Sequence, residues 1–173
     1  IKSMQFLLEH DALVVALRGK IGALSGAARF TATAAGDAEK HEHAWPAGHP
    51  PRHDGALDFL LRWLGEHGSA RIVGVGHRVV HGGLRYSGPV IVDAKGLEDL
   101  EALVALAPLH QRHNLAGIRA ILVSHPSLPQ VACFDTAFHR HSPALAQAFA
   151  LPPSITHRGV HRYGFHGLSY EYI

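Results

Sequence analysis

Several common classes of protein are excluded by what this chain lacks. It has one cysteine, Cys133, so no internal disulfide can form and a bridge-stapled fold is ruled out. That cysteine lies in the apolar run Val131-Ala132-Cys133-Phe134, which predicts a buried, unreactive thiol in a reducing compartment. No apolar stretch reaches the length of a membrane span. The first residues, Ile1-Lys2-Ser3-Met4, are not a basic segment followed by an apolar one, so no secretory signal is read there. They hold no initiator Met, and the sequence is expected to begin inside a longer polypeptide. Clustered basic charge is missing too: the 16 Lys and Arg are dispersed and the formal net charge is +2, which leaves nucleic acid without an electrostatic footprint. Two familiar nucleotide-binding loops are also absent. Gly74-Val75-Gly76-His77-Arg78-Val79 fails the dinucleotide fingerprint at its last position, and Gly19-Lys20 is followed by Ile21 with no phosphate-loop spacing before it.

What is present fits a globular protein with a real core. The chain has 173 residues, 47% of them hydrophobic and 17% charged. Apolar runs at Met4 to Leu8 and Ala12 to Leu17, then the alternating Ala28 to Thr33, read as strands of a meander punctuated by Gly19, Gly22 and Gly26. From Ala35 to Gly55 the composition turns to Gly, Pro, His and charge, as expected of an exposed, mobile excursion. Asp54 is positioned to cap a helix carrying Leu57, Leu60, Leu61 and Leu64, closed by Gly68. Arg71 to Gly76 and Gly88 to Asp93 read as strands. Helices follow over Leu97 to Val104 and Leu115 to Leu122, then a strand over Gln130 to Phe134 and a short helix over Ala144 to Ala150. Strands first, then strands alternating with helices, is the pattern of an α/β layer with a mixed sheet. No linker divides the chain after Gly55, so 1–173 is read as one α/β domain.

Two polar blocks follow predicted buried strands: His77-Arg78 after Val73 to Gly76, and Asp135-Thr136 after Val131 to Phe134. In open α/β sheets, ligands bind beyond the carboxyl ends of strands. An arginine and an aspartate placed there by separate strands form either a ligand site or a salt bridge between loops. Arg78 suits an anionic ligand, because its planar fork meets a carboxylate or phosphate with two donors. Gly76, Gly82 and Gly83 would let backbone and ligand approach closely. The 16 histidines raise a metal reading, with His77 and His81, His110 and His113, and His139 and His141 as close pairs. A zinc site needs three or four convergent ligands, and neither a Cys pair nor H-E-x-x-H is present.

Four blocks occur in a telling order: Gly76-His77-Arg78-Val79-Val80-His81-Gly82-Gly83, Ala107-Pro108-Leu109-His110, Phe134-Asp135-Thr136-Ala137-Phe138-His139, and Arg162-Tyr163-Gly164-Phe165-His166-Gly167-Leu168-Ser169-Tyr170-Glu171-Tyr172. In order and approximate spacing they resemble the acetate kinase family. The resemblance implies a ribonuclease-H-like mixed sheet with flanking helices, of the actin and sugar-kinase superfamily. It implies reversible transfer of the ATP γ-phosphoryl group to acetate, with Mg²⁺, in a cytoplasmic homodimer. On it, Arg78 holds the substrate carboxylate, Asp135 is catalytic, His166 stabilises the transferring phosphoryl group, and His110 lies close to the transfer site. Val80, Leu109 and Phe165 enclose the acetate methyl, although Val80 and Leu109 fit core packing nearly as well. Because an acetate carboxylate is already ionised at neutral pH, Asp135 is expected to orient Arg78 or a histidine and not to remove a proton.

The family's opening phosphate loop, N-x-G-S-S-S-x-K-F, is missing, and only Lys2 falls at the place of its lysine. Gln111-Arg112-His113-Asn114 stands where Asn-Pro-x-Asn is usual, a change expected at the rim of the site. The family's C-terminal domain, with the adenosine pocket, a second arginine and a metal-binding glutamate, is not in the sequence. ATP and Mg²⁺ are therefore expected to be held mostly by parts outside it, with no metal ligand within residues 1–173. Alternatives are a propionate or butyrate kinase, a metal-dependent hydrolase built on the histidines, and an inactive acid-binding fragment.

Overall fold

The computed structural model describes residues 2–9, 12–36, 39–68 and 71–173, with the side chains of 2–5 and 7–9 outside that description. The chain forms two compact units, Ile1–Ile72 and Val73–Ile173.

In the first unit, β1 (Lys2–Glu9), β2 (Ala12–Gly22), β3 (Arg29–Ala34) and β4 (Lys40–Ala44) form an antiparallel meander in sequence order. Alternation sends Leu17 and Ile21 of β2 and Phe30 and Ala32 of β3 inward. They pack with Ala56, Leu60 and Trp63 of α1 (His53–His67), which follow the helical period. The three expected strands are found, together with a fourth inside the segment read as an exposed excursion. β4 pairs with β3, so His41 faces Ala32 and His43 faces Phe30 across the ladder. Both histidines thus share the face of buried apolar residues. His43 stacks on Phe59 at 4.7 Å, and His41 meets Trp63 edge-on at 5.3 Å. Imidazole rings supply the flat packing surface that aliphatic side chains usually give a strand. Asp54 is not the cap either: Arg52 holds that position without a side-chain bond, and Asp54 sits in the first turn, where a carboxylate still meets the positive end of the dipole. Gly68 ends the helix as expected, its N–H donating to the Leu64 carbonyl.

The second unit is built on β5 (Val75–Val79), β6 (Val90–Ile91) and β7 (Gln130–Phe134), in spatial order β5-β7-β6. β5 runs parallel to β7, and β6 antiparallel to it. α2 (Ala94–Glu101) and α3 (Pro108–Ser124) supply Leu100, Leu115 and Ile118 to a core with Val79, Val92, Ala132 and Phe134. Asp93 caps α2, accepting the Gly96 N–H at 2.7 Å. The strand expected at 71–76 instead spans Val75–Val79. Val73 is 67% exposed whereas Val79 is fully buried, so burial at Val79 sets the strand, and His77 and Arg78 lie within it. The helix expected over Ala144 to Ala150 does not form. Leu145 is 88% exposed, and a short helix without an apolar face to bury is unstable. Single-turn α4 (Pro153–Thr156) forms just after it, and α5 (Gly167–Tyr172) closes the chain. Among the described residues, no helix is long and apolar enough to cross a membrane.

Candidate functional site

The site of the second unit starts from the parallel pairing of β5 with β7, which places Arg78 beside Cys133 and Val79 beside Phe134. One step beyond β7, the Asp135 N–H donates to the Val79 carbonyl at 3.0 Å, which holds the aspartate against the end of β5. Arg78 Nε then donates to Asp135 Oδ1 at 2.9 Å and lies 3.2 Å from Oδ2. The two partners differ in environment: the Asp135 side chain is 7% exposed and that of Arg78 53% exposed. A buried carboxylate thus fixes one edge of the guanidinium, and the rest of the fork stays open to an anion. Arg78 Nη2 lies 3.4 Å from His166 Nδ1, so the open side of Arg78 meets a histidine contributed by the far end of the chain.

His166 has left-handed backbone angles, φ 58° and ψ 23°, which few non-glycine residues adopt. Gly167 follows it and donates its N–H to the Asp135 carbonyl at 2.8 Å. A Cβ on Gly167 would stand 2.5 Å from that carbonyl oxygen, so only glycine allows the contact. Asp135 therefore reaches Arg78 with its side chain and the His166 turn with its backbone.

The segment after β5 is secured by side chains whose part is not apparent in the sequence. Asn114 accepts the Val80 N–H at 3.1 Å, and Gln111 accepts the His81 N–H at 3.2 Å while donating to the His81 carbonyl at 3.0 Å. Thr136 Oγ1 accepts the Gly82 N–H at 3.0 Å. Gln111 is fully buried, so it is not the rim residue it was expected to be. Its one sequence signal is a polar residue on the inward stripe that continues through Leu115 and Ile118. Gly82 and Gly83 also differ from expectation. A Cβ on Gly82 would press on the Phe134 ring at 2.8 Å, and Gly83 has φ +64° against Leu103. Core packing requires both, and of the three glycines only Gly76 faces open space.

His77 is not a crevice residue but part of β5, with Nε2 2.8 Å from Gln130 Oε1. Burial pushes its pKa below the usual imidazole value, against a smaller opposing effect of Gln130. His81 is buried and likewise lowered by desolvation, and its Nδ1 accepts the Gly83 N–H at 2.9 Å. The two rings belong to separate networks. Val80 is half-buried beside Arg78, and Phe165 is 39% exposed with its ring edge-on to His81 at 5.8 Å. Leu109, on the first turn of α3, is 79% exposed, and His110 next to it is exposed. Lys2 belongs to β1, and its side chain lies outside the described residues. Among the described residues no three His, Cys, Asp or Glu side chains converge as metal ligands.

A model of the acetokinase family matches residues 4–173. The chain belongs to the acetokinase family. An acetate kinase of Rhodopseudomonas palustris is 48% identical over 159 residues, covering 90% of this chain and 39% of its own length. One from Streptomyces coelicolor is 40% identical, covering 95% of the chain and 40% of its own. Among solved structures, a propionate kinase from Francisella tularensis aligns with a TM-score of 0.86 at 32% identity, over 99% of this chain and 44% of that one. Porphyromonas gingivalis acetate kinase aligns with a TM-score of 0.83 at 33% identity, over 98% and 43%. The fold is thus the ribonuclease-H-like α/β arrangement of the actin and sugar-kinase superfamily. The chain spans about two fifths of the length of the curated relatives it matches.

Proposed function

We propose that the protein carrying these residues transfers the γ-phosphoryl group of ATP to acetate, reversibly, giving acetyl phosphate and ADP. The observation that carries this reading is the meeting of Arg78, Asp135 and His166 at one edge of the sheet. Arg78 presents its open nitrogens to the acetate carboxylate, while Asp135 holds the Nε edge in place. His166, beside Nη2, stabilises charge on the transferring phosphoryl oxygens, the main task in such a reaction. Acetate attacks as an ionised carboxylate, so no proton leaves it and Asp135 serves as an orienting group. Val80, Leu109 and Phe165 are assigned to the methyl group, and His110 to the rim of the transfer site. No residue is assigned to Mg²⁺: both Asp135 oxygens face Arg78, and the described residues offer no convergent ligand set. We further propose a cytoplasmic homodimer in which residues 1–173 form the N-terminal domain.

The test is hydroxamate trapping of acyl phosphate by the native protein with ATP and Mg²⁺, comparing acetate, propionate and butyrate. Acetate is expected to give the highest kcat/KM. A higher value for propionate moves the assignment to a propionate kinase. Absence of acyl phosphate from all three acids, or full activity in Arg78→Ala, refutes the carboxylate-kinase reading.

A further inference from the structure

The left-handed His166 is clamped from both sides by one short stretch of chain. On its C-terminal side the Asp135 carbonyl takes the Gly167 N–H at 2.8 Å. On its N-terminal side the Phe165 carbonyl lies 2.9 Å from His139 Nε2. A carbonyl can only accept, so Nε2 carries the proton and donates. The His139 ring also lies flat against Gly164, where any Cβ would overlap it, and the ring is half-buried. Residues 135–139 therefore fix Arg78 through the Asp135 carboxylate and the 164–167 turn through Asp135 and His139 together.

From this geometry we infer that His139 is a positioning residue for phosphoryl transfer: it sets the turn that aims His166 at Arg78. The inference rests on the role proposed above for His166. It requires an N–H donor at the reach of His139 Nε2 and no side chain at 164. Carboxylate binding through Arg78 does not depend on either, so the effect falls mainly on turnover.

The test uses the native protein with two readouts: steady-state kinetics, and the backbone chemical shifts of His166 in histidine-labelled material. His139→Leu keeps bulk but removes the donor. It is expected to lower kcat about 10-fold to 100-fold, as about 1 Å of misplacement does, with a smaller rise in KM for acetate because Phe165 moves with the turn. The His166 shifts should move away from their left-handed values. His139→Gln retains a donor at similar reach and should recover most of both. Gly164→Ala, which forces the ring aside, is a second route to the same loss. Added to His139→Ala, it should cost nothing further, since the ring it collides with is gone. Unchanged His166 shifts in both His139→Leu and Gly164→Ala overturn the inference. Shifted His166 resonances with an unchanged kcat confirm the contact and refute the transfer role assigned to His166.

Discussion

Asp135→Asn isolates the charge that holds Arg78. Asparagine keeps the shape and one acceptor oxygen for Nε, while the second oxygen, now 3.2 Å from Nε, becomes an NH₂ group or turns it into the buried side. A net hydrogen bond to a charged partner contributes about 1.5–3 kcal/mol. Arg78 is half in water, which screens the attraction and favours the lower part of that range. At about 1.4 kcal/mol per tenfold in rate, the expected loss in kcat/KM for acetate is about 10-fold to 50-fold. The wrongly set guanidinium still binds a carboxylate, so KM rises only in part. Hydroxamate kinetics measure both terms across pH, with and without formate or imidazole as added base. An orienting Asp135 predicts no dependence on those bases. If either base restored the variant's rate, a proton would be leaving the substrate or a water at Asp135, and the orienting role would be wrong.

Three further outcomes follow from the same geometry. Arg78→Lys should lose about 10²-fold to 10³-fold in kcat/KM, because a point charge cannot hold Asp135 on one edge and an anion on the other; near-native kcat/KM would make Arg78 structural. Gln111→Leu leaves the buried His81 N–H and carbonyl without partners, and should lower stability in urea by about 1–3 kcal/mol for each group left unsatisfied. A loss under about 0.5 kcal/mol would show that water or a backbone shift replaces the amide. His77 is held below the ordinary imidazole pKa by burial, so the folded state favours its neutral form. The associated stability is complete above about pH 6.5 and is lost as pH falls from there towards the lower folded value. His77→Gln should flatten the urea midpoint between pH 7.5 and 5, and an unchanged slope would assign the effect to other groups.

The parts legible in the sequence are those where local pattern and tertiary burial agree. β7 is legible to its ends because an unbroken apolar run is followed at once by Asp135. β5 lies several residues further on than its pattern suggests, because Val73 is as strand-like as Val79 and only packing distinguishes them. β4 is not legible because the residues it places opposite Ala32 and Phe30 are His41 and His43, which hydropathy counts as polar. The pairing of Arg78 with Asp135 was foreseeable from two polar residues at the ends of neighbouring strands. The turn at His166 was not, since nothing in a histidine codon announces a positive φ. Nor was the work of Gln111, whose amide matches backbone groups that appear only once α3 lies across the chain after β5.

The separation of the partners in sequence has a consequence for how this site comes into being. Arg78 and Asp135 lie 57 residues apart, and Arg78 and His166 lie 88 apart. Helices such as α3 can nucleate locally, but these contacts wait for the parallel strands to close a long loop, a slow step. The site is therefore present only when the second unit is essentially complete. An anion that bridges Arg78 and His166 has no counterpart to bind in the unfolded chain. At a hundred times its dissociation constant such an anion would add about 2.7 kcal/mol to the stability of the unit, so a ligand held there would become one of the forces that keep the fold closed.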